Sequence, residues 1–196
     1  MNASRLFSRF GGQNLSTLLC ILLAALALAA GWILKSAVTS RTFHFERSGV
    51  TAEIPSKWLV NNGFAGEELV FTANPPLDYN LSYQVRLLPV VPGGKTTDLV
   101  VTRNLSQGQT LAYYKVSGQQ AVQISGSDGY QVNYYYIKVN AEADLPVVIS
   151  GRDIYIEGPE KVLLVTIENT ASHFDESLPG FNVFLETVKF EKGGSQ

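Results

Sequence analysis

His173 is followed closely by Asp175 and Glu176, an imidazole and two carboxylates of the kind that ligate a divalent cation. The same stretch, Ser172-His173-Phe174-Asp175, also reads as the entrance to a helix, where acidic residues favour the positive end of the dipole. The helix entrance is the stronger reading, and His173, Asp175 and Glu176 stand only as weak metal candidates. His44 lies between Phe43 and Phe45 and reads as an exposed polar residue of a strand, far in sequence from His173. Ser127, in Ser125-Gly126-Ser127-Asp128-Gly129, misses the nucleophile elbow because serine stands where glycine is needed, and the string reads as a turn. Glu67 and Glu68 adjoin, so on a strand they point to opposite faces and form no acid/base pair. Phosphate-loop and dinucleotide fingerprints are absent from the sequence. The expectation is a protein without a catalytic site, without a cofactor and without a resident metal.

Six tyrosines, Tyr113, Tyr114, Tyr130, Tyr134, Tyr135 and Tyr136, are the densest functional group in the chain. Strand alternation puts Tyr130, Tyr134 and Tyr136 on one face and Tyr135 with Asn133 on the other. On a solvent-facing sheet such a set makes a protein-binding platform, since tyrosine offers large contact area at low entropy cost. The alternative is half-buried strand packing. Tyr130, Tyr134 and Tyr136 are the expected protein-binding residues, conditional on their face being the wetter one.

The elements that would hold these residues begin with an uncharged run. From Leu15 to Leu34 the chain reads LSTLLCILLAALALAAGWIL, and about 20 residues of helix span about 30 Å, the thickness of a bilayer core. Trp32 and Lys35 suit the interface at one end, and Arg5 and Arg9 flank the other. Residues 15–35 therefore read as a single-pass anchor in the lipid bilayer, after a short basic tail, 1–14. A cleaved signal peptide is the rival, with Ala25-Leu26-Ala27 and Ala27-Leu28-Ala29 as small-residue sites. The expected topology is N-terminus cytoplasmic and domain extracytoplasmic. Cys20, the one cysteine, lies inside this run after two leucines, so it reads as a membrane-helix residue and not as a lipoprotein cysteine. Neither an internal disulfide nor a cysteine zinc site can form.

Beyond a linker at 36–41, the chain is long enough for one domain, 42–190, ahead of a tail at 191–196 expected to be disordered. The whole chain is 45% hydrophobic and 16% charged with net charge −2, which argues against disorder of the domain and against nucleic acid as a partner. Period-two patterning marks strands around Phe43–Phe45, Val50–Ile54 after a Ser48-Gly49 turn, Leu69–Phe71 and Leu81–Leu87. A short helix is expected from Thr97, as N-cap, to about Leu105. Leu111–Val116, Gln120–Ser125 and Tyr130–Val139 read as strands separated by turns at Ser117-Gly118 and Ser127-Asp128-Gly129. Val147–Ile149, Ile154–Ile156 and Val162–Ile167 complete a meander. Leu178, Phe181, Phe184, Leu185 and Val188 change to helical spacing, with Pro179 expected in the first turn, and Val188–Phe190 closes as a short strand. The fold class is α+β, a central antiparallel sheet flanked by helices.

Gly49-Val50-Thr51-Ala52-Glu53-Ile54-Pro55-Ser56-Lys57-Trp58, with Leu59 and Val60, resembles the opening signature of the PsbP-like superfamily, a strand running into Pro-x-x-Trp. Phe181, Phe184, Leu185 and Thr187-Val188-Lys189-Phe190 resemble its closing helix and strand, and Gly118-Gln119-Gln120-Ala121 a mid-domain turn. That fold is shared by the photosystem II subunit PsbP and the Ran-binding Mog proteins. The resemblance implies an α/β/α sandwich over about 42–190 and motifs that are structural, not catalytic. It points to a non-catalytic accessory or assembly subunit that docks onto a membrane protein or complex, a photosynthetic or other bioenergetic one among them. The alternative is a membrane-anchored extracytoplasmic ligand- or metal-binding module.

Overall fold

A computed structural model describes residues 20–31, 42–64, 68–78, 80–90, 93–124, 126–139, 145–158 and 160–190. Contacts divide the chain into two units, Met1–Arg41 and Thr42–Gln196. In the first, residues 20–31 form helix α1. The rest of the expected anchor, the basic tail, the linker and the C-terminal tail lie outside the described residues, among which no helix is long and apolar enough to cross a membrane.

The second unit starts with a hairpin, β1 (Thr42–Arg47) and β2 (Val50–Pro55). Its two turn residues, Ser48 and Gly49, both have positive φ, 54° and 74°, the twist that suits a tight hairpin. The short β10 (Lys189–Phe190) joins β2 from the far end of the domain, giving a three-stranded sheet in the order β1-β2-β10. The larger sheet contains β3 (Leu59–Asn62), β4 (Leu69–Asn74), β5 (Ser82–Pro89), β6 (Ala112–Ile124), β7 (Ser127–Val139), β8 (Pro146–Glu157) and β9 (Lys161–Thr170). It is antiparallel throughout, in the order β3-β4-β5-β9-β8-β7-β6. Helix α2 (Thr96–Thr110) connects β5 to β6, and α3 (Phe174–Thr187) follows β9.

Several local expectations need correction. Ser117-Gly118 is no turn: β6 runs through it as one edge strand, with a register shift between Val116 and Gly118 that absorbs the irregularity as a bulge. The hairpin turn comes earlier than Ser127-Asp128-Gly129, because Ile124 pairs with Ser127 and Gly126 supplies the positive φ, 79°. Likewise β8 is one strand through Ser150-Gly151. A Cβ on Gly151 would overlap the ring of Tyr134, so this glycine serves close packing, not a bend. The four-residue β3 passed unnoticed, since only Val60 of Leu59–Asn62 is half-buried. Lys95, not Thr97, is the N-cap of α2; its N–H donates to Asp98 Oδ2 at 2.9 Å, and the helix continues to Thr110. Pro179 lies inside α3, beyond its first turn, because the helix already begins at Phe174.

Alternation divides the large sheet into two covered faces. On one, Phe71, Val85, Val165 and Ile167 pack with Phe181 and Phe184 of α3 and with Phe45, Val50 and Ile54 of the small sheet. Rings knit this cluster together: Phe45–Phe71 at 4.3 Å, Tyr83–Phe184 at 4.9 Å, and the half-buried Trp58 against Tyr83 at 4.7 Å. On the opposite face Leu88, Val132, Tyr155, Val162 and Leu164 receive Val100 of α2. The result is the expected α+β class, a sheet with a helix against each face.

Candidate functional site

Tyr130, Tyr134 and Tyr136 do share one face of β7, but that face is the one α2 covers. Tyr134 is 1% and Tyr136 8% exposed, and Tyr130 packs against the Leu88–Val100 cluster. The exposed platform is therefore corrected to a core role. Residues two apart on a strand must share a face, but only the landing place of the helix decides which face is dry.

What α2 covers is polar. Asp153 of β8 is 0% exposed and accepts from Arg103 Nε at 2.7 Å and from Thr166 Oγ1 at 2.5 Å. Burial works against the Arg103 charge, yet Asp153 outweighs it and holds the guanidinium above its ordinary value. One step along the sheet, Glu168 accepts from Tyr134 Oη at 2.9 Å and from Tyr136 Oη at 3.3 Å. Tyr114 Oη donates to Asn104 of α2 at 2.8 Å, and burial pushes its own hydroxyl up to about 12. Arg86 of β5, also on this face, has its pKa lowered by burial and by the nearby Arg103. Sequence reasoning passed over Arg86, Arg103, Asp153 and Glu168. The available signal was that Asp153, Thr166 and Glu168 interrupt apolar strands at positions whose cross-strand pairing puts them on one face, Asp153 opposite Thr166.

Burial raises the pKa of Glu168, opposed by the two tyrosine bonds. A carboxyl held above its unfolded value favours the protonated native state. Its stabilisation is thus present at low pH and is lost as pH climbs from the unfolded value of 4.5 through the raised folded one. Glu168→Gln retains an acceptor for the tyrosines and cannot ionise. Its melting temperature should equal or exceed the wild type's at pH 7–8 and should change less between pH 5 and 8. A steeper pH dependence in the variant would contradict this.

Beside Arg103 a cleft of about 280 Å³ opens between α2 and the β4–β5 edge, lined by Glu68, Leu88, Leu99, Arg103, Ser106 and Gln107 among others. Leu99, Arg103, Ser106 and Gln107 recur at helical steps, so one face of α2 forms the wall.

A different surface is open. On the α3 side of the sheet, the β6–β7–β8 end carries Tyr135 (36% exposed), Val139 (59%) and Val148 (45%). Tyr135 pairs with Ser150, Ile137 with Val148 and Val139 with Pro146, which brings Tyr135, Ile137, Val139 and Val148 onto one face as an apolar patch. Lys115 pairs with Tyr135 at its margin.

His173 is the N-cap of α3; its carbonyl accepts from Ser177 N–H, and Asp175 and Glu176 occupy the first turn. Its Nδ1 lies 3.1 Å from both Thr170 Oγ1 and Ser172 Oγ. Among the described residues no group of three or more His, Cys, Asp or Glu is placed to hold a metal. His44 meets Glu53 across the β1–β2 pair at 2.9 Å on the surface.

No family model and no curated protein matches this sequence. Solved structures do. The cyanobacterial PsbP (CyanoP) of Synechocystis sp. PCC 6803 aligns at TM-score 0.57 and 12% identity, over 76% of this chain and 92% of that one. A Pseudomonas aeruginosa protein of unknown function aligns at TM-score 0.50 and 14% identity, over 79% of this chain and 100% of that one. The Ran-binding protein Mog1p of Saccharomyces cerevisiae aligns at TM-score 0.47 and 13% identity, over 72% and 84%. At such identities the likeness is one of fold.

Proposed function

We propose that this chain, whose domain has the PsbP-like fold, is a membrane-tethered, non-catalytic accessory or assembly subunit that docks onto a membrane protein complex. The observation that carries this reading is the apolar patch of Tyr135, Val139 and Val148 on a part of the sheet that, among the described residues, α3 leaves uncovered. An exposed aromatic ringed by aliphatic groups and a lysine has the make-up of an interface anchor. The uncharged run Leu15–Leu34 is the tether in this reading, with the domain on the extracytoplasmic side. Likeness of fold to PsbP favours a photosynthetic or other bioenergetic complex as the partner.

The test is co-purification from gently solubilised native membranes, with a photo-crosslinking residue at position 135. Crosslinking to one defined partner is expected. Val148→Asp should abolish it and leave the melting temperature within a degree or two, since that side chain is half in water already. Retention of the partner by Val148→Asp, or crosslinking equally strong from the remote position of Leu77, would defeat the assignment.

A further inference from the structure

The polar layer under α2 contains three buried polar atoms without a hydrogen-bond partner among the described residues: Arg86 Nε, Gln107 Oε1 and, deeper in the layer, Tyr155 Oη. Of these, Arg86 Nε and Gln107 Oε1 lie nearest the cleft, and both are closed to solvent. The remaining bond of the Arg86 guanidinium is a long one, from Nη2 to Gln84 Oε1 at 3.3 Å. Among the described residues, the ion pairs are His44–Glu53 and Arg103–Asp153, so Arg86 has no carboxylate in contact. Buried groups of this kind are costly to leave unmade, which makes them markers of a missing third party.

Gln107 lines the cleft, and Arg86 lies beside one of its walls. Arg86 lies two residues before Leu88 on the same face of β5, and Leu88 is part of the cleft lining. Arg103 and Glu68, both lining residues, act electrostatically on Arg86. Gln107 lies one helical turn beyond Arg103 and lines the cleft itself. Asp153 pairs with Arg103, and Asp153, Glu68 and Glu168 also act on Arg86 at longer range. Arg86 therefore presents a guanidinium edge that no carboxylate of the described residues contacts, with Glu68 at the exposed rim.

We propose that this cleft binds a small carboxylate carrying a hydrogen-bond donor beside it, an α-hydroxy or α-amino acid. Its carboxylate takes the free edges of Arg86 and Arg103, and its hydroxyl or amino group donates to Gln107 Oε1. Guanidinium groups match a planar carboxylate in two-point contact. Leu88, Pro89 and Leu99 supply an apolar wall for a short side chain. At about 280 Å³ the space is at the small end of ligand clefts, which run from about 300 Å³ upwards, so it suits a molecule of a few carbons and not a nucleotide. Asp153, Glu168 and Glu68 limit the negative charge that the cleft accepts, so a single carboxylate, alone or beside an ammonium, is favoured over the phosphate dianion. This site is independent of the docking patch, which lies on the other face of the sheet.

Isothermal titration and thermal-shift measurements on the full chain in detergent micelles test it, with lactate, serine, acetate, inorganic phosphate and methylamine as probes. Saturable binding of lactate or serine is expected, with acetate about tenfold weaker, a ratio that corresponds to ~1.4 kcal/mol for the lost donor. Methylamine and phosphate should not bind. Arg86→Met should remove binding, with an unliganded melting temperature equal to or above the wild type's, because a cation disfavoured by burial and by Arg103 is gone. Gln107→Leu should bind lactate no better than acetate, which decides the case even where Arg86→Met fails to fold. Absence of saturable binding by both lactate and serine overturns the proposal. So does undiminished binding in Arg86→Met, or phosphate binding tighter than the carboxylates.

Discussion

Arg103→Met should destabilise the domain by about 3–5 kcal/mol, the cost of leaving a buried charge without its partner. Asp153 is 0% exposed, so no water can take over from the guanidinium, and Thr166 Oγ1 is the donor that would still bond to it. The methionine stem replaces the packing of the arginine stem, so the loss measures mainly the stranded carboxylate. Adding Asp153→Leu and Thr166→Val should recover most of the loss, because replacing a whole buried polar set with apolar groups is often close to neutral. Urea unfolding of the three proteins, followed by circular dichroism, reads this directly. A loss below ~1 kcal/mol in Arg103→Met would show that Asp153 finds other solvation, and the description of the layer under α2 would have to change.

Phe181→Ala is expected to cost a similar ~3–5 kcal/mol, by a different mechanism: lost transfer energy plus the cavity left behind. Phe181 is fully buried where α3 meets the sheet, with its ring 5.4 Å from Tyr83 and 6.4 Å from Phe184. Those rings are themselves packed by Trp58 and Phe71, so collapse into the vacancy would break other contacts. Trp58 is half-buried at the edge of the same cluster, and its fluorescence should redden in the variant as Tyr83 loosens. Guanidinium unfolding that returns a midpoint close to wild type would mean that α3 is not a structural part of this core. The outcome bears on the fold itself, since α3 also carries the chain into β10 and so closes the small sheet.

These two variants probe opposite faces of one sheet, and the faces differ in how far the sequence announced them. The α3 face was legible. Phe181, Phe184 and Val188 recur at helical steps, and Val50, Ala52 and Ile54 alternate; all six are buried together. The α2 face was not. Its helix is weakly amphipathic, with Thr96 and Val100 as its buried residues, so its cover of the sheet leaves almost no periodic trace. Polar residues in strands also read by default as solvent-facing, which is how Asp153, Thr166 and Glu168 escaped notice.

Local sequence thus determined what depends on near neighbours: most of the strands, the Ser48-Gly49 hairpin, the closing helix with its acidic first turn, and the likeness of the Pro55–Trp58 segment to a known fold. It also determined that Tyr130, Tyr134 and Tyr136 belong together and opposite Tyr135. Tertiary structure alone decided which side of that strand is dry. It did so by laying α2 across one face, which buries Tyr134 against Glu168 and leaves Tyr135 in water. Alternation is a local property of the backbone and treats the two faces alike. The helix that distinguishes them is placed by contacts between Val100 and residues of β5, β7, β8 and β9, far away along the chain. For the same reason Arg103 and Asp153, fifty positions apart, become a pair only in three dimensions.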